Sequence, residues 1–449
     1  MRVLLVNPRM ASGWKPYIIP PIGLCSLKAS LVDAGIGPVR VLDASGMDIM
    51  EVKRIIEDFK PEVVGVTTFT EARHNALEVA RVAKFINPKI TTLLGGVHAT
   101  HTYTQILDNY NFIDGVFLGE SEFSLPNLFL RNANEVVGSA LRFGSKVVHR
   151  SPAFIDNLDL LPIPDYSDLD ISRYVDTDGP CRDKSLAAME TSRGCPYNCA
   201  FCSSKSVWGN IRFKSVDRVL AELIFLVKRY KYEMVSFVDD IFTVDHRRTE
   251  DICNRIILEG IKIDWKCQTR TDRVSKYILE IMKEAGCKLI AFGVESGSTT
   301  VLEEINKRES PDDIREAFRL CKQVGIESVF NIIVGSPGET KDTLRETRDL
   351  IMECRPDNIA TAALRAYPGS PVWKLGIEKG LFSEDILLTE QESIHYEGSM
   401  TINEMYRELI KFRILQARLK GIRGWIDLLI LSLKTLKSTP KKILKGVFG

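Results

Sequence analysis

Along the first 130 residues, short apolar runs alternate with stretches whose apolar positions recur every three or four residues. RVLLVN (2–7), VRVLD (39–43), EVVGVTTF (62–69), ITTLLGG (90–96) and FIDGVFLG (112–119) are rich in Leu and β-branched residues. They are apolar enough to predict strands covered on both faces. Between them, PIGLCSLKASLVDAG, MDIMEVKRIIEDF and EARHNALEVARVAKF carry helical spacing. Five strands alternating with helices predict a parallel, doubly wound sheet. Ligands of such sheets sit beyond the carboxyl ends of the strands. The loops expected to carry function are therefore Asn7–Pro21, Thr67–Arg73, Gly95–His101 and Gly119–Glu122.

Residues 151–180 lose this rhythm, with four Pro and seven Asp, and predict a linker. From Ser185 the alternation resumes. LAAMET (186–191), MVSFVDD (234–240), DWKCQT (264–269), KLIAFGV (288–294), SVFNIIVG (328–335) and NIATAALR (358–365) are strand candidates. Helical stretches separate them, among them SKYILEIMKEAG, DIREAFRLCKQVG and KDTLRETRDLIMEC. Six strand–helix units predict a parallel barrel or partial barrel, whose working loops lie at the carboxyl ends of the strands. The chain divides by this pattern into an α/β domain over 1–140, a linker over 141–180, a partial barrel over 181–375 and a mainly helical region over 376–449.

Composition narrows the function classes. A chain of 449 residues, 45% hydrophobic and 27% charged, has material for about two to four domains and a full core. Its net charge of +1 gives no global field that would attract nucleic acid. MRVLLVNPRM lacks the features of a secretory signal, and no run of 18 apolar residues exists to span a bilayer. A cytoplasmic, reducing location is expected, and there clustered cysteines are metal ligands before they are disulfides.

Three of the ten cysteines fall within TSRG-Cys195-Pro-Tyr-Asn-Cys199-Ala-Phe-Cys202, directly after the first strand of the second domain. Thiolates crowded on one loop select an iron–sulfur cluster or zinc. A [4Fe–4S] centre ordinarily uses four cysteines, and no fourth Cys or His is near in sequence. Two readings follow: a Cys₃His zinc site borrowing a distant ligand, and a cluster with one iron left open to a small molecule.

C-x-x-x-C-x-x-C after the first strand of a β/α barrel resembles the radical S-adenosylmethionine (SAM) superfamily. The resemblance implies a [4Fe–4S] cluster on Cys195, Cys199 and Cys202. SAM would chelate the fourth iron and be cleaved by one electron to a 5′-deoxyadenosyl radical. It also implies an external electron donor such as a flavodoxin or ferredoxin, and sensitivity to oxygen. Further strand ends resemble the family's SAM contacts: Asp239 and Asp240 after the second strand, Gln268 and Arg270 after the third, Glu295 and Ser296 after the fourth, Gly335 after the fifth. Phe201 resembles the aromatic beside the adenine. Ordinary alternatives stand beside these: the Asp239–Asp240 pair capping the next helix, and Phe201 anchoring the core under the loop.

A doubly wound domain ahead of such a barrel resembles the cobalamin-binding branch, which includes anaerobic magnesium-protoporphyrin ester cyclases and radical methyltransferases. The pieces that carry it are PPIGLCSLKASLVDAG, GVTTFTEAR, LLGGVHAT and FLGESE. It implies cobalamin contacts at Thr67, Thr68, Phe69, Gly95, Gly96, His98, Gly119 and Glu120. The loop after the first strand, NPRMASGWKPYIIPPIG, lacks the Asp-x-His-x-x-Gly of domains that ligate cobalt from below, so no histidine is expected under the cobalt. His98 and His101 have the alternative of being polar loop residues, and the whole domain that of being kept for packing. Neither G-x-G-x-x-G after the first strand nor GxxxxGK[ST] is present, which removes the main dinucleotide and P-loop devices.

The combination implies methylation of an unactivated carbon of a small-molecule or lipid-like substrate, with cobalamin, SAM and the cluster as cofactors. A ring-forming or oxidative reaction is the alternative, and a non-catalytic zinc-stapled module is the alternative of another class. Residues 411–449 hold ten Lys or Arg and one acid, Asp427. Ile422, Trp425, Ile426, Leu429, Leu433 and Leu436 follow helical spacing on one face, widened by Leu428, Ile430 and Leu431. Two expectations arise: peripheral contact with an anionic membrane, or a C-terminal helix docked on the barrel.

Overall fold

In the computed structural model, which describes residues 1–10, 19–130, 135–177, 179–422 and 424–425, the first apolar runs form β1 (Val3–Asn7), β2 (Val39–Asp43), β3 (Val63–Thr67), β4 (Thr91–Gly95) and β5 (Gly115–Phe117). They are parallel, in the order β2-β1-β3-β4-β5. Helices α1 (Ile22–Asp33), α2 (Ile49–Phe59), α3 (Arg73–Ile86), α4 (Val97–Asn109) and α5 (Ser124–Leu130) accompany them. Alternate residues of β1 enter different cores: Leu4 and Val6 pack with Val64, Val66 and Ala80, whereas Val3 and Leu5 pack with Leu24, Leu31 and Phe117. This two-sided burial is why the strands are continuous apolar runs. Sharp starts fix the helices; α2 opens with a capping box in which Asp48 accepts from Glu51 N–H and Glu51 accepts from Asp48 N–H.

The stretch expected to be linker departs from expectation at its start. β6 (Ser139–Phe143) and β7 (Lys146–Arg150) form an antiparallel hairpin that extends the sheet beyond β5. β7 is an edge strand whose residues are all exposed or half-buried, so no apolar signal marks it. The Asp-rich stretch that follows is anchored in the same unit. Lys28 reaches Asp168 at 2.7 Å and Asp165 at 3.2 Å, and the Tyr174 hydroxyl donates to Asp43 at 2.7 Å.

Two compact units result. The first is Met1–Tyr174 with Ser206–Arg218 and Leu388–Ser393; the second is Val175–Lys205, Val219–Leu387 and Ile394–Gly449. In the second, β8 (Leu186–Met189), β9 (Met234–Phe237), β10 (Asp264–Thr269), β11 (Cys287–Glu295), β12 (Glu327–Val334) and β13 (Asn358–Ala363) make a six-stranded sheet, parallel and in sequential order. It is the partial barrel with all carboxyl ends on one side. Polar caps start its helices: Asp245 before α8 (His246–Leu258), Ser310 before α11 (Pro311–Val324) and Thr340 before α12 (Lys341–Cys354), with α9 (Lys276–Glu284) and α10 (Thr299–Glu304) between. For chain order, α6 is Ser204–Trp208 and α7 is Val216–Phe225.

The region expected to be mainly helical is so only in part. α13 (Pro371–Glu378) and α14 (Ile402–Leu419) flank a short 3₁₀ turn at Glu384–Leu388 and an irregular stretch up to Thr401. α14 packs on β13. Among the described residues no helix is long and apolar enough to cross a membrane. The basic amphipathic tail lies outside the described residues from 426 onward.

Candidate active site

β8 delivers the chain to the cysteine loop at the carboxyl side of the sheet, and two adjacent carboxylates hold the chain on either side of that loop. Asp239, fully buried past the end of β9, accepts from the backbone N–H of Thr191 at 3.1 Å, the Thr191 hydroxyl at 2.6 Å and the Ser192 hydroxyl at 2.5 Å. Asp240 accepts from the Ser204 hydroxyl at 2.5 Å. Burial pushes both carboxyls above the usual range, opposed by these donors. Asp239 thus grips the entry to the loop and Asp240 its exit. Neither caps the following helix; Asp245 does so by accepting from Arg248 N–H.

Cys199 is buried and Cys195 and Cys202 are half-buried; burial raises all three thiols, Cys202 to about 12. The N–H of Ser204 points at the Cys202 sulfur at 3.4 Å. Among the described residues no three His, Cys, Asp or Glu side chains are gathered as ligands of one metal ion. The remaining seven cysteines are all buried.

The Arg270 guanidinium is spent locally. Its Nε and Nη2 donate to the two oxygens of Asp272 at 2.8 and 3.0 Å, its Nη1 donates to the Lys307 carbonyl at 2.8 Å, and its carbon lies over the Tyr197 ring, 3.8 Å from the centroid. The resemblance made Arg270 a SAM contact; the fold closes its fork on Asp272. Gln268 is exposed at the end of β10. Phe201 packs against the buried cluster that includes Leu364, Ala366 and Trp373, a core position of the kind named as its alternative.

At the end of β11 the register shifts and Glu295 takes φ 69°, a left-handed value rare outside glycine. Its carboxyl is pushed up to about 7 by burial, with Lys307 at 3.8 Å opposing the shift. Ser296 is buried, its hydroxyl 3.3 Å from that of Thr347. After β12, Gly335 has φ 96°, and a Cβ there would lie 2.5 Å from Met405. The N–H groups of Gly335 and Ser336 donate to the buried Glu339 carboxyl, while the buried Ser336 hydroxyl has no partner among the described residues.

In the first unit the expected cofactor loops meet at the carboxyl ends of β3 and β4. Thr68 N–H donates to the Gly95 carbonyl at 2.8 Å, and His98 N–H donates to the Thr68 carbonyl at 3.1 Å. Gly96 has φ 90°, and a Cβ would stand 2.9 Å from the Thr67 hydroxyl and 3.0 Å from Thr68 backbone atoms. The Thr68 hydroxyl is buried without a partner among the described residues, and Phe69 stands exposed at this edge. Gly119 has φ 66° and its N–H donates to the Thr100 hydroxyl at 3.0 Å.

Two of the expected contacts are engaged internally. Glu120 is buried, accepting from Arg212 at 2.6 Å and from Ile155 N–H at 2.8 Å. His98 is buried with Nδ1 3.1 Å from the Thr70 hydroxyl, and burial holds its pKa down to about 3, so it is neutral. His101 lies 3.3 Å from the Ser206 hydroxyl. Sequence reading placed Arg73 at the end of a loop expected to carry function but gave it no role of its own. Its buried guanidinium donates to the carbonyls of Thr70 at 2.8 Å, Thr389 at 3.1 Å, Glu392 at 3.2 Å and also Gln391. Only the arginine in GVTTFTEAR hinted at it; apart from Thr70, its partners lie more than 300 residues away in the chain.

Comparisons with known proteins identify two families in the chain. Residues 189–351 match the Radical SAM superfamily and residues 15–129 match the B12 binding domain. An uncharacterized methyltransferase of Pyrococcus horikoshii is 32% identical over 85% of this chain and 84% of its own length. An anaerobic magnesium-protoporphyrin IX monomethyl ester cyclase of Rubrivivax gelatinosus is 29% identical over 83% of this chain and 70% of its own. The radical SAM methyltransferase TsrM of Kitasatospora setae, solved with cobalamin and a [4Fe–4S] cluster, superposes with a TM-score of 0.69 at 18% identity, over 84% of this chain and 76% of that one. The donor sets fit the groups these domains use: three thiols on one loop for the cluster, an orphaned hydroxyl and a glycine-tight strand end for cobalamin. The chain belongs to the radical SAM superfamily, as a member that carries a B12-binding domain ahead of its radical SAM barrel.

Proposed function

We propose that this enzyme methylates an unactivated carbon of a small-molecule or lipid-like substrate. The observation that carries the reading is one chain joining a B12-binding domain to a barrel whose first strand ends in Cys195, Cys199 and Cys202. When bound, the cluster supplies an electron for SAM cleavage, and cobalamin supplies a carrier for the methyl group. In this reading residues 181–375 hold the cluster and SAM, and residues 1–140 hold cobalamin.

The roles of the chain follow from the contacts above. Cys195, Cys199 and Cys202 ligate iron, and their high thiol pKa values mean that metal binding releases protons. Asp239 and Asp240 keep the loop taut at both ends. Gln268, Glu295, Ser296 and Gly335 line the SAM side, with Phe201 and Arg270 supporting from beneath. Thr67, Thr68, Phe69, Gly95, Gly96, His98, Gly119 and Glu120 build the cobalamin edge; the last of these acts by holding backbone through Arg212 and Ile155. An external flavodoxin or ferredoxin supplies electrons, and the basic tail rests on an anionic membrane near a lipid-like substrate.

Mass analysis of metabolites and lipids from cells with and without the gene tests the reading: the product carries one added methyl. The similarity to the ester cyclase favours a second reading, radical ring formation without methyl transfer. S-adenosylhomocysteine accumulates only under the first. Replacing all three loop cysteines with Ala abolishes bound iron and sulfide if the ligand assignment holds. Sedimentation with anionic vesicles, with and without residues 421–449, tests the membrane contact.

A further inference from the structure

Behind the cysteine loop lies a turn that no assigned role explains. After α10 the chain runs through Ile305, Asn306, Lys307, Arg308 and Glu309, and two of these, Asn306 at φ 53° and Arg308 at φ 57°, are left-handed. Asn enters this region at little cost, whereas an arginine such as Arg308 persists there only when its surroundings hold it. Every residue of the turn makes a contact that accounts for it. The Ile305 carbonyl accepts from Ala200 N–H at 2.8 Å. The Asn306 side-chain amide donates to the Asn198 carbonyl at 2.8 Å, and its oxygen accepts from Arg308 Nε at 3.0 Å, which orients the amide. The Lys307 carbonyl accepts from Arg270, which lies over the Tyr197 ring. Tyr197, Asn198 and Ala200 are thus held from one turn, two of them between the first two cysteines.

The same turn reaches the ends of β10 and β11. Lys307 Nζ lies 3.3 Å from Glu309 and 3.8 Å from Glu295, and Glu309 accepts from Thr271 N–H at 2.6 Å. We infer that Ile305–Glu309 is a clasp that sets the spacing of the cluster ligands, with Asn306 as its positioning residue acting through the Asn198 carbonyl. This rests on Cys195, Cys199 and Cys202 being cluster ligands. Partners that orient metal ligands typically change metal affinity by about 10- to 100-fold when removed.

The test compares reconstituted wild type with Asn306→Gly, Asn306→Asp and Arg308→Gly. Asn306→Gly removes the amide donor while relaxing the backbone, so the protein stays folded; Asn306→Asp removes the donor and keeps the shape. Arg308→Gly relaxes its own backbone and frees the amide to rotate. Iron release to a chelator and the electron paramagnetic resonance of the reduced cluster, with and without SAM, are the readouts. Both Asn306 variants should release iron at least about tenfold faster and show an altered SAM-bound signal, with Arg308→Gly changed in the same direction. If Asn306→Gly matches wild type in both readouts, the clasp is wrong although the cluster stands. A wild type that takes up no iron overturns the ligand assignment and the clasp together.

Discussion

The Arg270 guanidinium carbon lies over the Tyr197 ring, 3.8 Å from its centroid, while the fork is closed by Asp272. A cation placed over a ring within the cysteine loop and satisfied on its other edge is a support for that loop. Arg270→Lys keeps the charge and loses both the guanidinium over the ring and the bidentate pair. It should lower stability by about 2 kcal/mol in anaerobic urea melts and loosen the cluster more than it weakens SAM affinity.

Asp239 accepts from Thr191 and Ser192 on the approach to Cys195. Asp239→Asn turns one acceptor into a donor facing those donors, a cost of about 1–3 kcal/mol. Cluster content should fall, with SAM affinity per intact cluster unchanged. A variant that keeps its iron and loses SAM would make Asp239 a direct SAM contact.

Glu339 titrates at about 7 because burial disfavours its charge, with the N–H groups of Gly335 and Ser336 opposing. Its folded pKa is above the unfolded value of 4.5, so the unfolded chain releases the proton first as pH rises. Stability from this group is full below about pH 4.5 and is lost as pH climbs to about 7, on the order of 3 kcal/mol in all. Glu339→Gln keeps an acceptor for the two N–H groups and cannot ionise. Its stability at pH 8 should exceed that of wild type, and the difference should vanish near pH 4.5.

Gly96 joins β4 to α4 at φ 90°, against Thr67 and Thr68. Gly96→Ala combines left-handed strain with a Cβ at 2.9–3.0 Å from its neighbours, a cost of about 2–4 kcal/mol. The β3 and β4 loops should part and cobalamin retention through gel filtration should fall, while cluster content in the barrel is preserved.

Much of the architecture is local and therefore legible in the chain. Strands buried on both faces are written as continuous apolar runs, helices as a three-to-four spacing, and starts as Asp48, Ser310 and Thr340. The ligand spacing of Cys195, Cys199 and Cys202 is local too, since the three thiols share one loop. Where burial is one-sided or absent the pattern fails: β7, an exposed edge strand, looked like linker, and the stretch before α14 looked helical.

What the sequence determined by itself was the alternation that makes a doubly wound sheet and a partial barrel, the end of each sheet where loops gather, and the three thiols. The tertiary structure alone decided which polar groups at those ends are free and which are spent. Arg270 and Asp272 are two residues apart, yet only the fold closes them on each other instead of on a ligand. Asp239 finds Thr191 across 48 residues, Glu120 finds Arg212 across 92, and Arg73 finds Glu392 across 319. Burial makes an unpaired polar group costly, so each of these carboxylates and guanidinium groups takes the donor or acceptor that packing brings near. That choice is made by neighbours in space, and sequence periodicity carries no record of it.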